Sequence, residues 1–116
     1  MTDLLKSLNI SASGMKAQGT RLRIIAENIA NAGSTALTPE GEPYRRKLIT
    51  FGSTLNRELG VDLVDVQRVS RDPSEFGLRY QPGHPAADET GYVKTSNVNT
   101  LVEMTDMREA QRSYEA

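Results

Sequence analysis

The chain contains a single histidine, His84, which lies between two prolines in the segment PGHP. A histidine near carboxylates could act as a general base or as a metal ligand, and Asp88 and Glu89 are the nearest acids in sequence. Either role needs several such groups converging on one point, and a loop stiffened by prolines does not supply them. We therefore predict that His84 is a structural turn residue. We expect no bound metal and no cofactor.

Asp62, Asp65 and Asp72 are close enough in sequence to suggest a pair of carboxylates for hydrolysis. That chemistry needs a cleft that shifts the pKa values of the two acids apart. On a short strand, such acids more often form a solvated face. The chain also has no nucleophile-elbow, P-loop or dinucleotide-binding glycine pattern. We therefore expect no enzymatic activity.

Arg45, Arg46 and Lys47 form the densest positive cluster of the chain. A nucleic-acid interface would need excess positive charge and interleaved aromatic residues, but 14 Lys and Arg oppose 15 Asp and Glu, and only Tyr44 is adjacent. The near-zero net charge also gives no general attraction to anionic membranes. We expect these cations to pair with acids on neighbouring subunits and so to fix their register.

The composition predicts a thin core. The chain has 116 residues, of which 37% are hydrophobic and 5% aromatic, and it has no cysteine. This length fits one ordinary domain, or a small domain with a helical extension. The absence of cysteine excludes disulfides, thiol catalysis and zinc–thiolate sites. We expect an elongated molecule that buries apolar surface against other subunits.

The first third of the chain carries an apolar line at alternating spacings of three and four, which is typical of one face of a helix. This line, the N-terminal seam, consists of Leu5, Leu8, Ala12, Met15, Gly19, Leu22, Ala26 and Ile29. The pattern predicts a helix over residues 3–31, with Thr2 or Asp3 as its N-cap. Gly14 and Gly19 indicate either close helix contact or a break near Gly14, and we favour one long helix.

Turn-forming residues follow this helix, with Gly33 predicted at the left-handed position after its end. The helical period then disappears. Loose alternation predicts strands at 45–51, 61–69 and 76–81, with a last short strand at Tyr92 and Val93. The middle of the chain is therefore predicted to be a small, irregular antiparallel β region.

A second helix is predicted to begin near Asn97 or Asn99, with Glu103 in its first turn, where the helix dipole favours a negative charge. Its weaker apolar line, the C-terminal stripe, consists of Val98, Leu101, Met104, Met107 and Tyr114. The helical pattern is unfinished at the last residue, which predicts a shortened chain. The expected fold class is α+β, divided into an N-terminal helix (1–33), a β-rich middle (34–96) and a C-terminal helix (97–116) that pairs with the first in a coiled-coil-like manner.

The N-terminus carries no recognisable cleavable leader, because Asp3, Lys6, Ser7 and Asn9 interrupt every apolar run. No stretch approaches the roughly 20 apolar residues of a membrane-spanning helix. We therefore expect a protein that is either cytosolic or exported by a route that does not read a cleaved leader.

Four segments resemble those of the bacterial flagellar basal-body rod protein family. The first contains Gln18–Asn31 with Asn28 and the pair Ala30-Asn31, and the others read PEGEPYRRK, YQPGHPAADETGYVKTSNVN and EMTDMREAQRSYEA. Together they cover nearly the whole chain. The resemblance is greatest to the proximal-rod members of that family.

The resemblance implies that the terminal helices pair as a coiled coil in the inner layer of a tubular axial structure, with the β region outside. It implies export through the flagellar type III gate without cleavage and polymerisation into the periplasmic rod of the basal body, which transmits torque. The implied partners are copies of this chain, other rod proteins, and ring and export-gate components.

Two alternatives to a rod subunit remain. The chain could be a cytosolic helical adaptor or regulator that binds one partner through the N-terminal seam. The seam could also be an ordinary amphipathic face folded onto the β region of the same chain.

Overall fold

The structure, a computed structural model, describes residues 2–56 and 60–115, with side chains at 3–53 and 60–115. The chain runs through α1 (Thr2–Ala30), β1 (Lys47–Asn56), β2 (Val61–Arg71), β3 (Gly77–Tyr80), β4 (Tyr92–Thr95) and α2 (Thr100–Glu115). The predicted α+β class is confirmed: one helix precedes and one helix follows the small antiparallel sheets in the chain. Met1 and Ala116, which the predicted helical segments include, lie outside the described residues.

Helix α1 is continuous over 29 residues and is therefore about 44 Å long. The preferred single helix is confirmed, and Gly14 causes no break. The predicted N-cap is wrong at Asp3, which lies in the first turn of the helix rather than before it. The side chain of Thr2, the other predicted N-cap, lies outside the described residues. The dipole argument still applies to Asp3, because an acid in the first turn interacts favourably with the free amides there.

The end of α1 differs from the prediction at Gly33. Positive φ occurs at Gly60 and Gly91 among the described residues and not at Gly33, so the expected left-handed glycine cap is wrong. The chain instead leaves the helix through a turn in which Nδ2 of Asn31 donates to the carbonyl of Glu27 at 2.8 Å. The carbonyls of Asn28 and Ile29 accept from the backbone amides of Asn31 and Ala32 at 3.3 and 3.2 Å. A tightened last turn therefore satisfies these helix-end carbonyls without a left-handed glycine.

Strands β1 and β2 form an antiparallel ribbon in which Lys47 lies opposite Arg71 and Thr50 opposite Arg68. Phe51 then lies opposite Val66, so Gln67 is an extra residue that makes a bulge. A two-stranded ribbon is only marginally stable alone. It packs here against α1, where the amide of Val64 donates to Oγ of Ser13 at 3.3 Å.

Strands β3 and β4 form a second small sheet, whose packed residue is Val93 beside Ala36 and Ala86. The loop between the strands is closed by Asp88, whose Oδ1 accepts from the amides of Thr90 and Tyr92 at 2.9 and 3.0 Å. Gly91 completes this turn with φ +88, a conformation that L-residues rarely adopt.

Helix α2 begins after Asn99, as predicted. Oδ1 of Asn99 accepts from the amides of Leu101 and Val102 at 3.1 and 3.4 Å, which is the geometry of an N-cap. The helix runs antiparallel to α1, because its end lies near Gly19 and its start near Asn28. The predicted pairing of the two helices is thus present. The molecule measures 67 × 24 × 17 Å and is elongated, as expected.

Candidate functional site

The described residues contain two regions that could carry function. The first is a buried network, here called the polar junction, where α1, β1, α2 and the segments that precede β1 and α2 meet. Its members are Asn28, Tyr44, Arg46, Lys47, Asp72, Asn97, Glu103 and Asp106. The second is the N-terminal seam on α1.

Asn28 lies at the centre of the junction and is 1% exposed. Its Oδ1 accepts from the hydroxyl of Tyr44 at 2.6 Å and from the amide of Lys47 at 2.9 Å. Its Nδ2 donates to the carbonyl of Lys47 at 3.0 Å and to Oε2 of Glu103 at 3.5 Å. All four hydrogen-bonding positions of the side-chain amide are used. Asn28 is therefore buried on the packed face of α1 without leaving an unsatisfied polar group.

Glu103 is fully buried and pairs with Nε of Arg46. The same guanidinium reaches Asp72 at 3.2 Å and Asp106 at 3.7 Å. Three acids from two parts of the chain therefore surround one cation. A buried ion pair of this kind contributes modestly to net stability but fixes one arrangement, because removing either partner leaves a buried charge.

Burial and the contacts of the junction shift the pKa values of Tyr44, Arg46 and Asp72. Burial raises the pKa of Tyr44, and the negative charges of Glu27 and Glu103 add to that effect while Lys47 opposes it. Burial alone would lower the pKa of Arg46, but its bonds to Glu103 and Asp72 reverse the direction and raise it. These shifts favour the neutral hydroxyl of Tyr44 and the charged guanidinium of Arg46.

The pKa of Asp72 is lowered, first by hydrogen bonds from the amide and side chain of Ser74 and then by Arg46. Because the side chain of Asp72 is 18% exposed and pairs with Arg46 at 3.2 Å, the sequence interpretation that it belongs to a solvated acidic face is wrong. Asp62 and Asp65 are exposed on β2, in agreement with that interpretation. The difference arises because Asp72 directly follows the last residue of β2, where its carboxylate lies within reach of Arg46.

The expectation that the basic cluster pairs with acids of neighbouring subunits is wrong for Arg46 and Lys47. Arg46 is bound by acids of its own chain, and Nζ of Lys47 lies 2.8 Å from Oε2 of Glu27. The guanidinium of Arg45 lies 4.2 Å above the ring of Phe76. It also donates to the carbonyls of Asp72 and Ser74. The main contacts of the basic cluster therefore lie within the subunit itself.

His84 has the predicted structural role. Its Nδ1 accepts from the amide of Ala86 at 2.9 Å, which leaves the proton on Nε2, 3.2 Å from Oγ1 of Thr35. The imidazole thereby joins the loop after β3 to the segment after α1. In the part of the chain that the structure describes, no group of three or more histidines and acids is placed to hold a metal ion.

The N-terminal seam does not form the packed face of α1. The residues of α1 that are buried are Ala17, Ile24, Ile25 and Asn28, on a different side of the helix. Leu22 and Ile29 of the seam are half-buried, whereas Ala12 and Ala26 are exposed. Leu5, Leu8 and Met15 are 50%, 57% and 44% exposed. The face of α1 that packs onto the rest of the subunit is therefore not the seam. The side chains in the N-terminal half of the seam remain exposed.

Gly19 is the seam position at which the two helices meet. A methyl group added there would lie 3.8 Å from Cε2 of Tyr114, so the tyrosine ring covers the glycine at ordinary contact distance. A methyl group at Gly14 would meet nothing within 4 Å among the described residues. Close helix contact within the subunit therefore requires a glycine at neither position, since a methyl group would fit at Gly19.

The C-terminal stripe is divided in the same way. Met107 and Val98 are half-buried, and Tyr114 contacts α1 although it remains partly exposed. Leu101 and Met104 face outward and are 76% and 50% exposed. The residues of α2 that are fully buried are Glu103 and Ala110, which the apolar pattern did not include.

Sequence reasoning missed the junction because its key contact joins residues 75 positions apart. One signal was available: Asn28 follows Ile24 and Ile25 on the face that the structure buries. A polar residue among buried apolar ones needs hydrogen-bond partners from elsewhere in the chain. A buried position for Glu103 could not be read from its place in the first turn, where an exposed acid is equally favourable.

The chemistry of both regions is that of packing and register rather than of reaction. The junction holds satisfied, paired groups, and the seam presents apolar side chains. No helix in the described part of the chain is long and apolar enough to cross a membrane.

Comparison with known protein families gives two matches along the chain. A family model described as flagella basal body rod protein matches residues 8–36, which include the seam from Leu8 onward and Asn28. A second, described as the C-terminal part of the flagellar basal body rod FlgEFG proteins, matches residues 89–116, which include α2. Both matched regions contribute a residue to the polar junction.

Individual relatives give a closer match. The flagellar basal-body rod protein FlgC of Agrobacterium fabrum is 53% identical over all of this chain and 84% of its own length. FlgC of Aquifex aeolicus is 40% identical over all of this chain and 85% of its own length. FlgC of Salmonella typhimurium is 39% identical over 97% of this chain and 84% of its own length. The chain belongs to the family of flagellar basal-body rod proteins that these FlgC relatives represent.

Proposed function

We propose that this protein is a structural subunit of the proximal part of the flagellar rod and that it assembles through the open half of the N-terminal seam. The observation that carries the proposal is the exposure of Leu5, Leu8 and Met15 on a helix whose other half is packed within the subunit. Membership of the rod family supplies the assembly to which such a surface would contribute.

The energetics favour burial of this surface in an assembly. A fully buried leucine side chain contributes about 1.5–3 kcal/mol relative to an exposed one. Several exposed side chains on one helix face can therefore supply the free energy of association without any single dominant contact. Leu101 and Met104 offer a second apolar surface on α2. Two different surfaces on one subunit suit the head-to-tail contacts of an open helical filament.

The polar junction serves the same function by fixing the geometry of the subunit. An axial shaft transmits torque only if its subunits do not shear internally. Asn28, Arg46 and Glu103 tie both helices to the start of the ribbon through hydrogen bonds and ion pairs that have directional geometry. Such satisfied networks favour one arrangement over alternatives that apolar packing alone would tolerate.

The same assignment supports a location in the periplasmic rod of the basal body. We propose that the subunit reaches it through the flagellar export gate without cleavage and contacts other rod proteins, further copies of itself and ring components. Membership of the rod-protein family supports this route.

A gene-deletion strain complemented by the full-length chain tests the proposal. We expect the deletion strain to be non-motile and to lack hook–basal bodies, and the chain to restore both. Motile deletion cells would contradict a rod function. Purification of the protein as a closed two-fold dimer bound to a cytosolic partner, absent from basal bodies, would instead support an adaptor.

A further inference from the structure

One concave site near the ribbon is rich in positive charge and borders the polar junction, with which it shares Tyr44 and Lys47. It is lined by Glu42, Pro43, Tyr44, Arg45, Lys47 and Arg71 and has a volume of about 470 Å³. Three of the six lining residues are cations and one is an acid. We call it the basic pocket.

The cations of the basic pocket are unequally compensated. Lys47 and Arg71 lie directly opposite each other across the ribbon, an arrangement that destabilises a pair of strands when both charges are alike. Nζ of Lys47 lies 2.8 Å from Glu27, which relieves one of the two charges. Arg71 is exposed and forms no ion pair within residues 2–56 and 60–115.

The remaining cation, Arg45, is positioned without being neutralised. Its contacts are the carbonyls of Asp72 and Ser74 at 2.9 and 3.1 Å and the ring of Phe76. Among the residues that the structure describes, its only acidic partner is Glu42 at 3.8 Å, whose side chain is 65% exposed. Carbonyls and an aromatic face hold a guanidinium in place but leave its full charge. Arg45 and Lys47 are therefore held in place within the pocket. Arg71 is the lining cation that has no acidic partner among the described residues.

We propose that the basic pocket receives a carboxylate from an acidic segment of a neighbouring protein subunit in the rod, with Arg71 as the residue that pairs with it. This inference rests on the proposed rod function. Arg71 supplies a planar donor pair suited to a carboxylate, and Arg45, which is already held in place, adds attraction without further ordering cost. The contact sets the rotation of one subunit against the next, since the pocket lies at the base of the ribbon and away from the seam.

Binding of a tetraglutamate peptide to the isotopically labelled full-length chain, followed by NMR, tests the pocket directly. We expect saturable shifts at the amides of Tyr44, Lys47 and Arg71, which weaken as ionic strength rises. R71Q should weaken the apparent affinity about three- to fivefold. R68Q is the matched control, because Arg68 lies on the same strand but on the opposite face of the ribbon, and it should leave binding unchanged.

Equal effects of R71Q and R68Q, or shifts caused by inorganic phosphate and not by the peptide, would overturn the proposal. In the complemented deletion strain, R71E should reduce swarming at least twofold and R68E should not. If R71E swarms normally while Leu8→Asp is non-motile, the pocket has no such role and the rod function stands. If the strain without the gene swims, the rod function itself fails.

Discussion

The two halves of α1 have similar apolar content and opposite surroundings. In the C-terminal half, Ile24, Ile25 and Asn28 are buried against the ribbon and α2. In the N-terminal half, Leu4, Leu5 and Leu8 are each at least half exposed. One continuous helix therefore combines a part that belongs to the fold with a part that is open for association. Substitutions in the two halves should consequently affect different measurements.

The largest effect on stability is expected at Glu103. Glu103→Ala removes the buried partner of Arg46 and one partner of Asn28. Breaking a buried ion pair from one side typically costs about 3–5 kcal/mol, and we expect about 3 kcal/mol because Arg46 retains Asp72 and Asp106. Urea denaturation followed by circular dichroism measures this loss of unfolding free energy.

Glu109→Ala is the matched control for that substitution, because it removes a carboxylate from the same helix. Glu109 pairs with Arg21 at 3.7 Å, but its side chain is 67% exposed. Exposed pairs contribute well under about 1 kcal/mol. Similar losses in the two variants would contradict a special role for the junction.

A smaller loss is expected from Asn28→Ala. The substitution leaves the hydroxyl of Tyr44 and both backbone groups of Lys47 without their partner. We expect a cost of about 2 kcal/mol, the usual range for unsatisfied buried groups. Asn9→Ala, on the open half of the same helix, removes a single exposed side-chain bond and should change the unfolding free energy by less than about 0.5 kcal/mol. Equal values would remove the distinction between the two halves.

The junction also predicts a dependence of stability on acid. The pKa of Asp72 is lowered in the folded chain, so the unfolded chain binds its proton more readily. The stabilisation from Asp72 is therefore present above the ordinary carboxyl pKa of about 3.9 and is lost as the pH falls through the lower, folded value. We expect Asp72→Asn to reduce the slope of unfolding free energy against pH below about pH 5.

Glu27 and Asp88 also have lowered pKa values, so Asp72→Asn should reduce this slope without abolishing it. Asp62→Asn is the control, because Asp62 is an exposed acid on β2. A slope that is unchanged in Asp72→Asn, or reduced equally in both variants, would show that Asp72 is not part of the junction energetically.

Much of the fold was predictable because it depends on local patterns. The long helix, the strands near 61–69 and 76–81 and the cap at Asn99 follow from hydrophobic period, turn residues and capping chemistry, all of which act over a few positions. Gly33 shows where this reasoning failed. A glycine after a helix often adopts positive φ, but here a tightened last turn satisfies the carbonyls of Asn28 and Ile29 with backbone amides instead.

The polar junction was not predictable for a different physical reason. Arg46 and Glu103 carry no local mark of burial, since an exposed basic cluster and an exposed first-turn acid are both common. Their positions are decided by the antiparallel contact of α1 with α2, which brings residues 28, 46 and 103 together. The seam was visible in the sequence because its apolar residues recur at helical spacing. The sequence did not reveal which part of the seam the fold would leave exposed.

The central claim is that the open half of α1 serves assembly and the packed half serves folding. The most direct test measures unfolding free energy and motility together for Leu8→Asp. Because Leu8 is 57% exposed, the variant should retain its unfolding free energy within about 0.5 kcal/mol. The complemented deletion strain should nevertheless be non-motile, with the variant protein present but absent from basal bodies. Normal swimming of that strain, or a loss of folding stability comparable to that of Glu103→Ala, would contradict the account.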